Sequence, residues 1–199
     1  MPSRHSATPV YGLVLAGGKS RRMGRDKAKL RRGEESQLAY VVNLLEALLE
    51  RVFVSTRSEQ SDDSERSRFA QIVDRFDGMG PVAGILSAMQ EYPDVDWLVV
   101  ACDLPNIDAA TISYLLEQRS ADKPFTAFSS THDGLPEPLC AVYTSNSVDI
   151  VRTFIEEGIH CPRKILIRSD SHLLSQPNPR SLDNVNTPDD LQGSVLAAS

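Results

Sequence analysis

The chain has 199 residues, of which 41% are hydrophobic and 24% charged, a balance typical of an ordinary globular protein and not of a disordered one. Its formal net charge of −6 argues against a nucleic-acid-binding surface, which normally shows a basic excess. No apolar run approaches the roughly 20 residues needed to span a bilayer, so we expect neither nucleic acid nor a membrane as a partner.

The length predicts a single domain, which we place at residues 10–192, between a flexible N-terminal tail at 1–9 and a C-terminal tail at 193–199. The first tail lacks the apolar segment of a signal peptide, and a cytoplasmic protein is therefore expected. The three cysteines show no C-x-x-C spacing, and His160 and Cys161 have no matching partner cluster. Neither a disulfide framework nor a zinc site is predicted.

The most informative stretch begins with the short apolar run 10–16, which has the length of a buried strand and stops at Gly17 and Gly18. The next eleven residues carry six basic side chains and one acidic side chain, Asp26. Glycines let a backbone approach a ligand with its N–H groups inward, and basic side chains attract anions. Because ligands of α/β proteins bind at the carboxyl ends of strands, the pattern predicts a nucleoside triphosphate site.

Two common glycine motifs do not fit this turn. A P-loop requires a glycine five positions before its final glycine, and this chain has Leu13 there. The dinucleotide fingerprint G-x-G-x-x-G also fails, because Gly17 is followed directly by Gly18 and no helical apolar pattern starts after them. The turn therefore belongs to another class of nucleotide site.

The string LAGGKSRRMGRDK, residues 15–27, resembles the signature loop of nucleotidyltransferases with a glycosyltransferase-A-like fold, and most closely that of the molybdenum cofactor guanylyltransferases (MobA-like NTP transferases). The resemblance implies an α/β fold, a three-layer αβα sandwich around a Rossmann-like, mostly parallel mixed sheet. It also implies that the loop backbone holds a nucleotide while basic side chains offset phosphate charge. The implied nucleotide-binding residues are Leu15, Ala16, Gly17, Gly18 and Lys27, and the implied basic catalytic residues are Arg22 and Lys27.

After the loop, apolar spacing over residues 37–51 predicts a helix, and residues 52–55 predict a second strand of parallel type. Ser55 occupies a position where family members often carry asparagine, and its shorter side chain weakens the case for guanine as the base. The polar stretch 57–68 predicts mostly loop, with a short helix near Phe69, and it is either an exposed lid or an insertion.

Residues 71–74 predict a short strand ending in Asp74, followed by a glycine turn and a helix over residues 81–89 that begins with proline. The free N–H groups of this helix start, with Gly78 and Gly80, predict a second ligand-facing edge. The resemblance implies that Asp74 and the G-P-x-A-G segment contact the base and ribose side of the nucleotide. Without the resemblance, Asp74 would be interpreted more simply as a turn former or helix cap.

Residues 96–102 predict a buried strand that runs into Asp103, and Pro105 stops its continuation. A carboxylate at the end of a core strand beside a phosphate loop suits Mg²⁺, which one or two carboxylates usually hold together with substrate phosphates. The string VVACDLP also resembles the metal-binding strand of the family. Asp103 is therefore predicted as the Mg²⁺ ligand, in contact with the nucleotide and catalytic.

Further along, the sequence predicts a helix over 106–119 capped by Asp108, strands over 125–128 and 139–143, and a helix over 145–157. The string PLCAVY resembles the family's strand that lines the acceptor pocket. Arg163 and Lys164 either meet an anionic acceptor or form the solvated face of a helix.

Near the end of the chain, Thr187 predicts a helix N-cap ahead of Pro188 at the first helical position. The same string, NVNTPDDL, resembles the closing motif of the family, whose asparagines face the active site. The resemblance implies a supporting role for Asn184 and Asn186.

The resemblance covers nearly all of residues 10–192 and implies that an acceptor phosphate attacks the α-phosphorus of GTP while pyrophosphate leaves. The implied partners are Mg²⁺, GTP, a molybdopterin-type acceptor and molybdenum cofactor delivery proteins. A cytidylyltransferase or sugar-phosphate nucleotidyltransferase of the same fold is the alternative, although Asp74 and the L-A-G-G form favour GTP. A nucleotide-binding regulatory module without chemistry is the rival from another class, and Lys27 and Asp103 argue against it.

Overall fold

The computed structural model describes residues 8–17 and 26–184, without the side chain of Lys27. It contains nine strands: β1 (Val10–Leu15), β2 (Arg31–Arg32), β3 (Glu35–Ser36), β4 (Val52–Thr56), β5 (Gln71–Val73), β6 (Asp96–Ala101), β7 (Phe125–Ser129), β8 (Pro136–Tyr143) and β9 (His172–Leu174). The helices are α1 (Gln37–Glu46), α2 (Pro81–Glu91), α3 (Ala109–Glu117), α4 (Val148–Glu156) and α5 (Pro162–Ile167). The helix start predicted at Thr187 lies outside the described residues.

Seven strands form one sheet in the order β5-β4-β1-β6-β8-β7-β9, and β2 and β3 form a separate small hairpin. Within the large sheet, β8 runs antiparallel to both of its neighbours, while the remaining neighbouring pairs are parallel. This arrangement confirms the mostly parallel mixed sheet expected from the sequence.

Side chains of each central strand alternate between two apolar clusters, because successive residues of a strand face opposite sides of the sheet. In β6, Leu98 and Val100 pack in a cluster with α1 and α3, whereas Trp97 and Val99 pack in a cluster with α2, α4 and α5. Helices therefore cover both faces, and the predicted three-layer αβα sandwich is confirmed. No helix within residues 8–17 and 26–184 combines the length and apolar character needed to cross a membrane.

Several boundaries differ from the sequence-based prediction. Helix α1 ends at Glu46, five residues before the predicted end at Arg51, and the leucines that continue the apolar spacing lie in the turn toward β4, with Leu48 exposed. The β2–β3 hairpin, α5 and β9 were not predicted, because elements of two to six residues are too short to show a period. The stretch 57–68 contains two short 3₁₀ helices, Ser58–Gln60 and Arg66–Arg68, and the second confirms the short helix expected near Phe69.

The parallel strands β1, β4, β5 and β6 end at the same edge of the sheet. The chain adds β4 and β5 on one side of β1 and then crosses to add β6 on the other side. A crevice forms where the strand order reverses in this way, and ligands of open α/β sheets bind there. The residues that follow the four strands, among them Gly17, Asp74 and Asp103, therefore meet at one crevice.

Candidate active site

A cavity of about 650 Å³ opens at this edge, between the carboxyl ends of the parallel strands and the start of α2. Its lining residues include Leu15, Ala16, Gly17, Ser55, Asp74 and Asp103, all of them candidates from the sequence. The volume lies within the range of about 300–1,000 Å³ that small-molecule sites occupy. The structure thus brings the turn after β1 and the carboxylates after β5 and β6 into one site.

The candidates that lie outside the described residues are Gly18, Arg22 and Asn186. Lys27 begins a short 3₁₀ helix, Lys27–Lys29, directly after Asp26, which itself lines the cavity. The segment that follows the basic residues therefore lines the cavity, through Asp26 and Ala28.

On the β4–β5 side of the cavity, Ser55 and Asp74 form a hydrogen-bonded pair. The Ser55 hydroxyl donates to Oδ1 of Asp74 at 2.7 Å. Helix α2 packs directly against this pair through Gly84, where an added Cβ would lie 2.1 Å from Ser55 Oγ and 3.1 Å from Asp74 Oδ1. The absence of a side chain at Gly84 is therefore what allows α2 to approach the base of the cavity.

Burial raises the pKa of the Asp74 carboxyl, although the Ser55 hydrogen bond and the Arg57 charge act in the opposite direction. The carboxyl group is thus held in a partly dry position at the cavity wall, where it can form hydrogen bonds with a ligand. Its second oxygen, Oδ2, lies 3.5 Å from the position that a Cβ on Gly17 would take.

The raised pKa predicts that Asp74→Asn changes the pH dependence of stability of the protein without nucleotide. The folded parent holds the Asp74 proton more tightly than the unfolded chain, so its stability falls as pH rises through the interval between the two pKa values. Asparagine does not titrate, so the free energy of unfolding of the variant should rise relative to that of the parent as pH rises through this interval. Urea unfolding from about pH 4 to pH 8 checks the trend. If the difference in free energy of unfolding between variant and parent stayed constant over this range, it would contradict a raised pKa of Asp74.

Asp103 follows β6 and belongs to a segment that α1 and the β2–β3 hairpin hold in place. The Gln37 amide donates to the Leu104 carbonyl at 3.2 Å, and the Tyr40 hydroxyl donates to the Ile107 carbonyl at 2.9 Å. The Arg32 guanidinium donates to the Pro105 carbonyl and stacks on the Tyr40 ring. The backbone after Asp103 is therefore anchored at three successive points.

The carboxylate of Asp103 suits a divalent cation that substrate phosphates help to hold. In the part of the chain that the structure describes, no three His, Cys, Asp or Glu side chains cluster as a metal cage. Mg²⁺ keeps several waters and is usually bound by one or two carboxylates together with substrate phosphates. Asp103, half-buried at the cavity wall beside the turn after β1, provides one such carboxylate.

A second cavity of about 600 Å³ adjoins the first and shares Gly78, Gly80, Pro81 and Leu139 with it. Arg163 and Asn184 line this second cavity, and exposed Lys164 is not among its lining residues. Arg163 is paired with two carboxylates, Glu137 at 2.8 Å and Asp133 at 3.2 Å. A ligand in this cavity would therefore meet an ion pair at Arg163.

Two functional candidates, Arg57 and Arg66, were missed in the sequence. Arg57 lines the first cavity, and its Nε donates to the Gly17 carbonyl at 2.7 Å. Arg66 has a side-chain exposure of 1% and donates to the Ala16 carbonyl. Both lie in the polar stretch 57–68, where arginine is normally solvated, so the composition carried no signal of a contact with the glycine turn.

Comparison with known proteins identifies the family of this chain. Residues 12–172 match the MobA-like NTP transferase domain. A molybdenum cofactor biosynthesis bifunctional protein from Synechocystis is 40% identical over 185 residues, which cover 93% of this chain and 53% of the relative. This chain therefore spans about half the length of that relative. A probable molybdenum cofactor guanylyltransferase from Opitutus terrae is 38% identical over 77% of this chain and 75% of its own length.

The solved structure of molybdopterin-guanine dinucleotide biosynthesis protein A from Archaeoglobus fulgidus superposes with a TM-score of 0.78. It covers 94% of this chain and 98% of its own, at 24% identity, and it confirms the fold. The domain match extends over most of the chain and includes the turn after β1, Asp74 and Asp103. The family and the enzyme class expected from the signature loop are thus confirmed: the chain belongs to the MobA-like NTP transferase family.

Proposed function

We propose that this chain transfers GMP from GTP to the phosphate of a molybdopterin-type acceptor, with Mg²⁺ as the cofactor and pyrophosphate as the leaving product. The observation that carries the proposal is the pair of adjoining cavities at the carboxyl edge of the sheet. One is lined by the candidate nucleotide residues and the other by Arg163 and Asn184. Two substrates bound in these cavities would meet at the shared wall.

The proposal includes residues 10–192 as one catalytic domain in the cytoplasm. It also includes molybdenum cofactor delivery proteins as partners that supply the acceptor or receive the product.

In the proposed reaction, an oxygen of the acceptor phosphate attacks the α-phosphorus of GTP, and the bond to the departing pyrophosphate breaks. The acceptor phosphate is ionised near neutral pH, so the chain needs no general base. The backbone of residues 15–18 would hold the triphosphate, and Arg22 and Lys27 would offset its charge. Mg²⁺ bound by Asp103 would supply further charge neutralisation between donor and acceptor. Catalysis of this kind consists mainly of positioning and electrostatic stabilisation.

The chemistry of Asp74 supports guanine as the base. Guanine presents two adjacent donors, N1–H and the 2-amino group, and a carboxylate can accept from both. Cytosine presents a single donor group, its 4-amino group, on the corresponding edge. Ser55 occupies one oxygen of Asp74 through its hydroxyl and leaves Oδ2 on the side of Gly17. Family members often carry asparagine at the position of Ser55, and the shorter serine side chain weakens the case for guanine. CTP therefore remains the second candidate nucleotide.

Binding and turnover with four nucleotides test this proposal. A nucleotide at 100 times its dissociation constant stabilises the folded state by about 2.7 kcal/mol, which for this size raises the thermal midpoint by about 5–10 °C. We expect this shift with GTP and Mg²⁺, together with pyrophosphate release that requires molybdopterin. A shift and turnover with CTP alone would assign the chain to the cytidylyltransferases. Binding of GTP without pyrophosphate release in the presence of acceptor would indicate the regulatory module.

A further inference from the structure

The guanidinium of Arg66 is one of the most buried charges among the described residues and is fully engaged. Nη2 and Nε donate to the Ala16 carbonyl at 2.7 and 3.1 Å. Nη1 and Nη2 donate to the two carboxylate oxygens of Asp26 at 2.8 and 2.9 Å, which is a bidentate pair. Nη1 also donates to Asp63 at 3.2 Å. One side chain therefore contacts both Ala16 and Asp26.

These two residues lie near the two ends of the signature loop, residues 15–27. Ala16 lies just before Gly17, and Asp26 lies just after the basic residues 19–25. Arg66 comes from a segment 40 residues beyond Asp26 and 50 beyond Ala16. One planar group, whose five donors have a fixed geometry, therefore links Ala16 to Asp26.

The same contact orients the backbone at the glycine turn. In a trans peptide the C=O and the following N–H point in opposite directions, and the described residues contain no cis peptide bond. With the Ala16 carbonyl turned toward Arg66, the Gly17 N–H points away from Arg66. The Gly17 carbonyl is likewise taken by Arg57, at 2.7 Å. Arg66 and Arg57 thus donate hydrogen bonds to two successive carbonyls of the turn, those of Ala16 and Gly17.

A second ion pair extends the network to the short helix after Asp26. Lys29 pairs with Asp63, which also receives the Arg66 hydrogen bond. Burial opposes the charge on Arg66, but Asp26 and Asp63 together hold its pKa above the ordinary value, so the guanidinium stays charged. Replacing a buried ion pair by apolar residues is often neutral or stabilising, so stability alone does not account for this arrangement.

We propose that Arg66 is a positioning residue for the nucleotide: it holds Ala16 and Asp26 together and sets the direction of the Gly17 N–H. Arg66 itself does not touch the nucleotide. This inference rests on the proposed function for the identity of the ligand, GTP. It also gives segment 57–68 a structural role in place of the two earlier interpretations, a lid or an insertion. The arginines of this segment hold Ala16, Gly17 and Asp26 in position.

Steady-state kinetics of Arg66→Met with both substrates test the proposal, alongside GTP binding by calorimetry. We expect the KM and the dissociation constant for GTP to rise between about 10- and 100-fold, the range that misplacement of binding groups produces. The KM for the acceptor should stay unchanged. A purely structural role would lower the fraction of active enzyme, and hence kcat, while it left both KM values in place. That pattern would overturn the proposal.

Three further variants make the test independent of folding. Arg66→Lys keeps the charge but loses the fork that bridges Ala16 and Asp26, and we expect it to weaken GTP binding as well. Asp26→Asn combined with Arg66→Met should be no worse than Arg66→Met alone, because both remove the same contact. Arg68→Met is the matched control, because Arg68 lies in the same 3₁₀ helix and is 59% exposed. It pairs with Glu65 and lies over the Phe69 ring, and neither of these residues lines the first cavity, so GTP binding should not change.

The parent protein separates the two proposals. If the parent binds no GTP, the proposed function fails. If the parent binds GTP and Arg66→Lys binds it equally well, the positioning role of Arg66 fails while the proposed function stands.

Discussion

Asp103→Asn is expected to lower kcat by about 10²–10³-fold, the loss typical of removing one preorganised electrostatic contact to a transition state. Asparagine keeps the shape of the side chain and removes the negative charge that would bind Mg²⁺. Asp103 lines the cavity at the end of β6, and Gln37, Arg32 and Tyr40 hold the backbone after it. The fold should therefore survive the substitution. Turnover measured against Mg²⁺ concentration checks the prediction, since the variant should no longer saturate in the range that saturates the parent.

Asp108→Asn is the matched control for this experiment. Asp108 lies five residues further along and caps α3 through its carboxylate, which accepts from Thr111 N at 2.7 Å. Asparagine caps a helix about as well as aspartate, so both stability and turnover should stay near those of the parent. If Asp103→Asn retained the turnover and Mg²⁺ response of this control, Asp103 would not be the metal ligand.

Gly84→Ala is expected to lower the free energy of unfolding by about 1–3 kcal/mol, the usual effect of overpacking a buried contact. The new Cβ would lie 2.1 Å from Ser55 Oγ and 3.0 Å from Ser55 Cβ, so α2 and β4 must move apart. Alanine favours helix over glycine by about 1 kcal/mol, and this gain offsets only part of the loss. GTP affinity should fall as well, because the displaced Ser55 and Asp74 line the cavity. Urea unfolding and calorimetric titration measure the two effects.

A second substitution tests the cause. Ser55→Ala in the Gly84→Ala background removes the oxygen at 2.1 Å and should recover most of the lost stability. Gln90→Ala, at the outer end of the same helix, serves as the control and should leave stability nearly unchanged. If Gly84→Ala were as stable as the parent, Ser55 would have accommodated the methyl group by rotating its hydroxyl away, and the close approach of α2 would not depend on glycine.

The central part of the fold was predictable because its signals are local. The strands β1, β4 and β6 are continuous apolar runs bounded by turn residues, and each was predicted within about two residues. Proline at the start of α2 and the Asp108 cap of α3 also mark their positions in the sequence itself. The β2–β3 hairpin, α5 and β9 gave no such signal, since each is stabilised by its neighbours and not by its own pattern.

The residues of the candidate site also fall into two groups, those that a local pattern marks and those that depend on packing. Local patterns of residues were enough to identify the glycine turn, the carboxylates at Asp74 and Asp103 and the family, because these depend on residue types at short spacing. Two other features became visible only in the packed fold: Arg66 holds both Ala16 and Asp26, and Gly84 lies against Ser55. The physical reason is that such contacts join segments tens of residues apart. The burial and the partner of a polar side chain are properties of the packed fold, and a linear pattern does not contain them.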